Sequence, residues 1–237
     1  MSWNNRLYFY AKKKDAVYLG GMDGRKNLWT GIDGVVLLEH KGQPVLVRCQ
    51  KYSTRNNYEQ QVQVQLNCTL ERPYFLRIET KNSLNKGINA VLGQLDKGVK
   101  LLSKEVDLYR DYGFPEVTMG RSIKTDDEEF TQMVLRDLEL RTTLLKNPTY
   151  GLRVEPNVPK WLDGGSHCIT AYCRVADGLS SSSGWDGEDF DDDWGTPEQH
   201  LKRMDSEKFT QKLDALVELA KAAHNAVTTW RMPAKKD

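Results

Sequence analysis

Polar and apolar residues alternate along the segment from Tyr58 to Leu70. Val62, Val64 and Leu66 fall on one side, and Gln61, Gln63 and Gln65 on the other. A period of two predicts a half-buried antiparallel strand with one wet face. Upstream, Val35-Val36-Leu37-Leu38 and Pro44-Val45-Leu46-Val47 flank Lys41-Gly42-Gln43, the signature of a hairpin. Arg72-Pro73 turns the chain, and Tyr74-Phe75-Leu76-Arg77-Ile78 predicts a further strand. Residues 1–80 therefore read as strands arranged in a meander.

The period then changes. Ile88, Leu92, Leu95, Val99, Leu102, Val106 and Tyr109 recur at spacings of four and three, one apolar stripe on a long helix. Gly87, Gly93 and Gly98 weaken that helix by up to about 1 kcal/mol each. Gly113-Phe114-Pro115 ends the element, and Val117 to Ile123 predicts a short strand. Thr125-x-x-Glu128 is a capping box opening a helix that runs to about Lys146. Its apolar residues spread around the circumference, which predicts cover on more than one side or a break in two. Tyr150 to Glu155 and Cys168 to Val175 predict late strands, with a loop from Val158 to Gly165 between them.

Thr196-Pro197-Glu198-Gln199 opens a terminal helical segment over 196–232, with Pro at the first helical position. Phe209, Leu213, Leu216, Ala220, Ala223, Val227 and Trp230 form its stripe. The stripes at 88–109 and 209–230 each extend about 33 Å at about 1.5 Å per residue. Each must bury its apolar face. The expected architecture is one α+β domain over 1–237: an antiparallel, meander-rich sheet covered by two long amphipathic helices. No internal repeat interrupts it.

Composition changes this picture little. The chain has 237 residues, 39% hydrophobic and 28% charged, enough to bury a core without a disulfide or metal staple. A net charge of +1 gives no global field toward nucleic acid or membrane, so nucleic acid is not an expected partner. No apolar run approaches the roughly 20 residues of a spanning helix, so no membrane span is expected. The segment Met1 to Ala11 is followed by Lys12-Lys13-Lys14, the wrong order for a secretory signal. These features predict a cytoplasmic location with four reduced cysteines. The charge is unevenly spread, however. Residues 1–55 carry a local balance of +6, and residues 177–198 a balance of −8.

Candidate chemistry is sparse. Cys168 and Cys173 are five apart on an expected strand, which sends them to opposite faces, and zinc spacing is absent. Asp163, Ser166 and His167 sit together around two glycines, but adjacent Ser and His point apart and no G-x-S-x-G elbow occurs. Asp189, Asp191 and Asp193 match the first EF-hand ligands. Trp194 and His200 then occupy the positions of the required Gly and Glu, and the motif fails. Phosphate-binding glycine loops are missing, and Gly20-Gly21-Met22-Asp23-Gly24 reads as a turn. His40, His200 and His224 read as surface or packing residues. No cofactor is expected.

Gly31-Ile32-Asp33-Gly34-Val35 followed by Val45-Leu46-Val47-Arg48-Cys49-Gln50-Lys51-Tyr52 resembles Mrr-like restriction-endonuclease cores. That resemblance implies a metal-dependent nuclease-like fold around Asp33 and Lys51. In that family a Glu or Gln stands two residues before the Lys, where this chain has Cys49. The family also places a helix after that strand, where more strand is expected here.

A longer pattern comprises Gly31-x-x-Gly34, Ile123-Lys124-Thr125-Asp126-Asp127-x-Glu129-Phe130, Val134-Leu135-x-Asp137-x-Glu139-Leu140-Arg141-x-x-Leu144-Leu145, Leu219-Ala220-x-Ala222 and Trp230-x-Met232-Pro233. It resembles uncharacterised bacterial proteins that share a meander, a strand–helix–strand segment and a terminal helix. The resemblance implies that fold and no activity.

The expected function is therefore a non-catalytic binding or adaptor module in a bacterial cytosol; the divergent or degenerate nuclease is the alternative. The segment 177–195 is an acidic Ser/Gly/Asp-rich loop that does not pack by itself. Within it Trp185, Phe190 and Trp194 alternate with acids, Asp191, Asp192 and Asp193 among them. Such a segment suits docking to a basic groove on a protein partner, the charges steering and the rings anchoring. The internal alternative is the oppositely charged N-terminal region; the plain one is a solvated loop whose Trp residues rest on the protein's own surface.

Overall fold

The computed structural model describes residues 3–20, 34–53, 58–80, 112–159, 164–174 and 206–233, without the side chains of 51–53, 58, 59 and 206–208. The chain opens with a helix, α1 (Trp3–Lys13), where strands were expected. The run Leu7-Tyr8-Phe9-Tyr10 has strand-forming residue types, but Leu7, Tyr10 and Ala11 lie three and four apart and are buried together. Lys12 and Lys13 occupy the last turn, where cations complement the helix dipole. A positive φ at Asp15 then turns the chain.

Four strands follow: β1 (Val17–Leu19), β2 (Val35–His40), β3 (Gln43–Ser53) and β4 (Tyr58–Cys68). Lys41 and Gly42 both take positive φ, the requirement of the two-residue hairpin joining β2 to β3. Next come β5 (Leu76–Thr80), a short α2 (Pro115–Thr118), β6 (Arg121–Thr125), α3 (Glu128–Val134), α4 (Leu138–Lys146), β7 (Tyr150–Glu155), β8 (His167–Arg174) and α5 (Ser206–Thr229). The eight strands form one antiparallel sheet in the order β1-β2-β3-β4-β8-β7-β5-β6. The fold is thus α+β with an antiparallel sheet. A meander accounts for its first half only.

Val62, Val64 and Leu66 of β4 join Val45 and Val47 of β3, Ile169 and Ala171 of β8, and Leu152 and Val154 of β7 in one core. The expected terminal stripe is α5, which lies across β4 and β8 and meets α4. Leu213, Leu216, Ala220, Ala223 and Val227 are buried there, and the small Ala side chains let the helix approach the sheet. The other expected stripe, 88–109, lies outside the described residues.

Three local readings are corrected. The strand expected at 117–123 is replaced by α2 and β6, because Pro115 starts a helical turn and Gly120, at φ 76°, ends it. The helical segment from Thr125 to Lys146 is broken in two, one of the outcomes its spread of apolar residues predicts, but the cap expected at Thr125 is replaced by an aspartate cap on each helix. Asp127 accepts from Phe130 N at the start of α3, and Asp137 accepts from Leu140 N at the start of α4. Thr125 Oγ1 instead accepts from Asp127 N. Finally, the supposedly wet face of β4 is buried: Gln61, Gln63 and Gln65 are only 6%, 2% and 6% exposed.

Arg121 joins the two ends of this region. Its guanidinium donates to Tyr150 O at 2.6 Å, Leu144 O at 2.7 Å and Asn147 O at 2.8 Å. It thereby satisfies carbonyls left over at the end of α4. Burial lowers its pKa to about 10, and the side chain remains a cation at neutral pH. Arg121→Met should remove the charge-assisted donors of Tyr150 O, Leu144 O and Asn147 O, the last two keeping Asn147 N and Tyr150 N, and cost about 2 kcal/mol of unfolding free energy in urea titrations. Arg121→Lys should recover only part of that loss, since an ammonium cannot reproduce the fork.

Candidate functional site

Alternate residues of a strand share a face, and the registers align them across the sheet in lateral rows. On the face away from the core, one row runs Leu46–Gln65–Thr170–Arg153–Arg77–Lys124 across β3, β4, β8, β7, β5 and β6. The next contains Arg48, Gln63, Tyr172 and Gly151. Glu79 of β5, opposite Ser122, lies two residues along from Arg77 on the same side. The third row is Gln50–Gln61–Arg174.

Hydrogen bonds tie the β3–β4 side together. Arg48 Nη2 donates to Gln50 Oε1 at 3.0 Å and to Gln63 Oε1 at 3.3 Å. Gln65 Nε2 donates to Thr170 Oγ1 at 3.2 Å. The other end of that amide, Gln65 Oε1, is buried and accepts no hydrogen bond.

The β7–β5 side is built around Tyr172. Its ring lies against Gly151; a Cβ there would stand 2.3 Å from Tyr172 Cζ. Glycine in a strand interior marks such a close approach. The Arg153 guanidinium lies 4.4 Å from the centre of the same ring. Burial raises the pKa of the Tyr172 hydroxyl, which stays protonated and donates to Glu79 Oε1 at 3.3 Å. Glu79 Oε1 also stands 3.5 Å from Arg77 Nε and 3.8 Å from Arg153 Nη2. The Arg77 contact is an ion pair without hydrogen-bond geometry, because Arg77 Nε has no hydrogen-bond partner, and neither does Arg153 Nε.

Arg153 is directly opposite Arg77, and Arg77 is directly opposite Lys124. Like charges in such positions oppose sheet stability. Glu79 is the carboxylate paired with this row. Glu155, on the same face of β7, makes no ion pair among the described residues. The face is therefore a polar surface with excess positive charge, suited to holding an anion.

Sequence reasoning missed these residues. Arg77 and Arg153 each sit in a segment correctly expected to be a strand. Nothing local reveals that β5 and β7, far apart in the chain, are neighbours. Conversely, the docking residues Trp185, Phe190, Asp191, Asp192, Asp193 and Trp194 lie outside the described residues, as do Asp33 and His200. Lys51 is opposite Gln60 in the β3–β4 pair, and β3 leads into a strand rather than a helix. Cys168 lies on the polar face and Cys173 in the core, the opposite faces that their spacing predicts. Among the described residues, no three His, Cys, Asp or Glu side chains gather to hold a metal, and no helix is long and apolar enough to cross a membrane.

Ser166 and His167 are in contact, but with reversed polarity for nucleophile activation. His167 Nε2 accepts from Tyr74 N at 2.9 Å. The neutral ring must then carry its proton on Nδ1 and donate to Ser166 Oγ, 2.7 Å away. Ser166 Oγ also accepts from Leu70 N. The pair fastens the start of β8 to the turn before β5.

No family model matches the chain, and no curated protein matches it. The chain is similar to a solved structure, that of the mycobacterial trehalose monomycolate transport factor A. Identity is 12%, the match covers 98% of each chain, and the TM-score is 0.42.

Burial holds the His167 pKa below its ordinary value near 6.5, with Asp126 opposing the shift. A base with a lowered folded pKa binds its proton more readily when unfolded. Its contribution is complete above about pH 6.5 and is lost as pH falls through the folded value. His167→Gln keeps one acceptor and one donor in place without titrating. Urea unfolding from pH 7.5 to 5 should show a shallower acid decline in the variant, by at most about 1.4 kcal/mol per pH unit. His224, lowered by burial and then by His40 and Lys41, supplies decline in both proteins. Parallel curves would remove His167 from the acid limb.

Proposed function

We propose that this protein is a non-catalytic binding module and that the polar face of its sheet receives the ligand. The observation that carries the reading is the in-register row of Arg153, Arg77 and Lys124, in which Glu79 is the paired carboxylate. Cross-strand like charges oppose the fold, and the contacts of Arg77 and Arg153 with Glu79 and Tyr172 offset that only in part. Arg121 supports the contrast: its charge is spent on backbone carbonyls. The test is a titration of the full chain with small anionic, neutral and cationic compounds, followed by amide NMR shifts. Anions should perturb β4, β8, β7 and β5 and be recovered unchanged. Perturbations confined to other elements, or conversion of the compound, would reject the reading.

We also propose that the acidic aromatic segment is the adaptor's contact with a basic protein partner. Its support is the pattern of Trp185, Phe190 and Trp194 among Asp191, Asp192 and Asp193. A lysine-rich peptide should bind the full chain with an affinity that falls as salt rises. Deletion of 180–195 should weaken that binding about tenfold or more. Equal affinity after the deletion would leave the segment a linker.

A further inference from the structure

We infer that the cationic row on the sheet is a site for a small phosphate monoester carrying hydroxyl groups, a ligand class that rests on reading the polar face as a binding surface. The row holds Arg153, Arg77 and Lys124 in register, and Glu79 is its paired acid. Three cations stand against the paired Glu79 and, two residues from Arg153 on the same face, Glu155, so the row keeps a net positive charge. A phosphate monoester brings about −1.5 to −2 at neutral pH, where a carboxylate or a phosphodiester brings one charge.

The geometry fits the same group. Neighbouring strands lie about 4.8 Å apart, so the two guanidinium stems rise side by side and can converge on one tetrahedral oxyanion. Arginine forks bind phosphate oxygens in pairs. The Arg77 and Arg153 guanidinium groups share Glu79 as their paired carboxylate among the described residues, at 3.5 and 3.8 Å, and their Nε atoms are buried without hydrogen-bond partners. Arg153 is held against the Tyr172 ring, and the ring fits because position 151 is glycine. Tyr172 is thus the positioning residue for the Arg153 guanidinium, and Glu79 is the counter-charge of the row. The site is also reachable: the Arg77 and Arg153 side chains are 33% and 21% exposed.

Gln65 supplies the second half of the specificity. It stands in the same lateral row, two strands from Arg153, with Thr170 between. Its amide nitrogen is committed to Thr170, and its buried Oε1 accepts nothing. A buried acceptor without a donor costs about 1–3 kcal/mol, which a ligand hydroxyl donating to it relieves. Two strand spacings, about 10 Å, separate this acceptor's strand from that of Arg153. That separation, shortened by the reach of the side chains, suits a ligand with phosphate at one end and hydroxyls at the other.

Calorimetric titration of the full chain with glycerol 3-phosphate, inorganic phosphate, glycerol and a single-stranded oligonucleotide tests this. Glycerol 3-phosphate should bind, inorganic phosphate more weakly, and glycerol not at all up to about 10 mM. Arg77→Gln and Arg153→Gln should each weaken glycerol 3-phosphate about tenfold or more. Glu79→Gln should tighten it about threefold, because removing the counter-charge adds to the positive field. Lys124→Gln, at an exposed edge position, tests the charge without disturbing the interior and should weaken binding about threefold. The opposite sign at Glu79 separates a charge effect from damage to the fold. No heat from either phosphate compound, unchanged affinity in the arginine variants, or weaker binding in Glu79→Gln overturns the site. Tighter binding of the oligonucleotide than of glycerol 3-phosphate also overturns it. If other anions still map to the polar face by NMR, the phosphate assignment alone fails; if none does, the binding-face reading fails with it.

Discussion

The antiparallel pairing of β4 with β8 is the constraint on which the rest of the structure depends. It runs from Gln61 opposite Arg174 to Cys68 opposite His167, and it joins the N-terminal meander to the strands of the second half. A slip of one residue would send Val62, Val64 and Leu66 to the polar side and the glutamines into the core. The register is pinned at one end by local chemistry. Ser166 N donates to Cys68 O at 3.0 Å, and Gly165 turns at φ 90° where a Cβ would stand 2.8 Å from that carbonyl oxygen. The His167 ring then ties the same corner to Tyr74. With the register fixed, α5 has a continuous apolar surface over both strands, and Gln65 and Thr170 are brought into one row.

Two buried or half-buried arginine environments in this molecule show opposite uses of the same side chain. Arg121 directs its fork at three carbonyls, and the cation is absorbed by the end of a helix. Arg153 lies over an aromatic ring, with a carboxylate 3.8 Å from Nη2 and a buried Nε without a hydrogen-bond partner. The first arrangement is complete within the chain. The second holds a cation in place by an aromatic ring and a shared carboxylate, without completing its hydrogen bonds within the described residues.

Much of the strand content was legible because its signals are local. The alternation through β4, the Lys41-Gly42 turn and the late strands at 150–155 and 167–174 all needed only neighbours in the sequence. The terminal helix was legible for the same reason, through its spacing of four and three. The errors came where two local signals competed. Aromatic strand formers in Leu7 to Tyr10 outweighed a helical spacing, and a threonine cap signal masked two aspartate caps. The wet face assigned to β4 failed for a different reason. Polarity shows that a residue needs partners; it does not show that those partners are water. The candidate site was not legible at all, because Gln65, Thr170, Arg153 and Arg77 meet only through the strand order β4-β8-β7-β5.

That strand order also explains how such a surface is tolerated. The core side of the sheet carries the folding energy through Val64, Ala171, Leu152 and Ile78, while the alternate residues on the same strands carry charge. A period of two separates the roles completely, since no residue faces both ways. Fully burying one aliphatic side chain contributes about 1.5–3 kcal/mol, and a favourable cross-strand pair about 0.2–1 kcal/mol, while like charges directly opposite are destabilising. The fold therefore withstands its own cationic row by a wide margin. Gly151 is the point where the demands of the two faces meet: its missing side chain weakens the strand locally and makes room for the ring against which Arg153 lies.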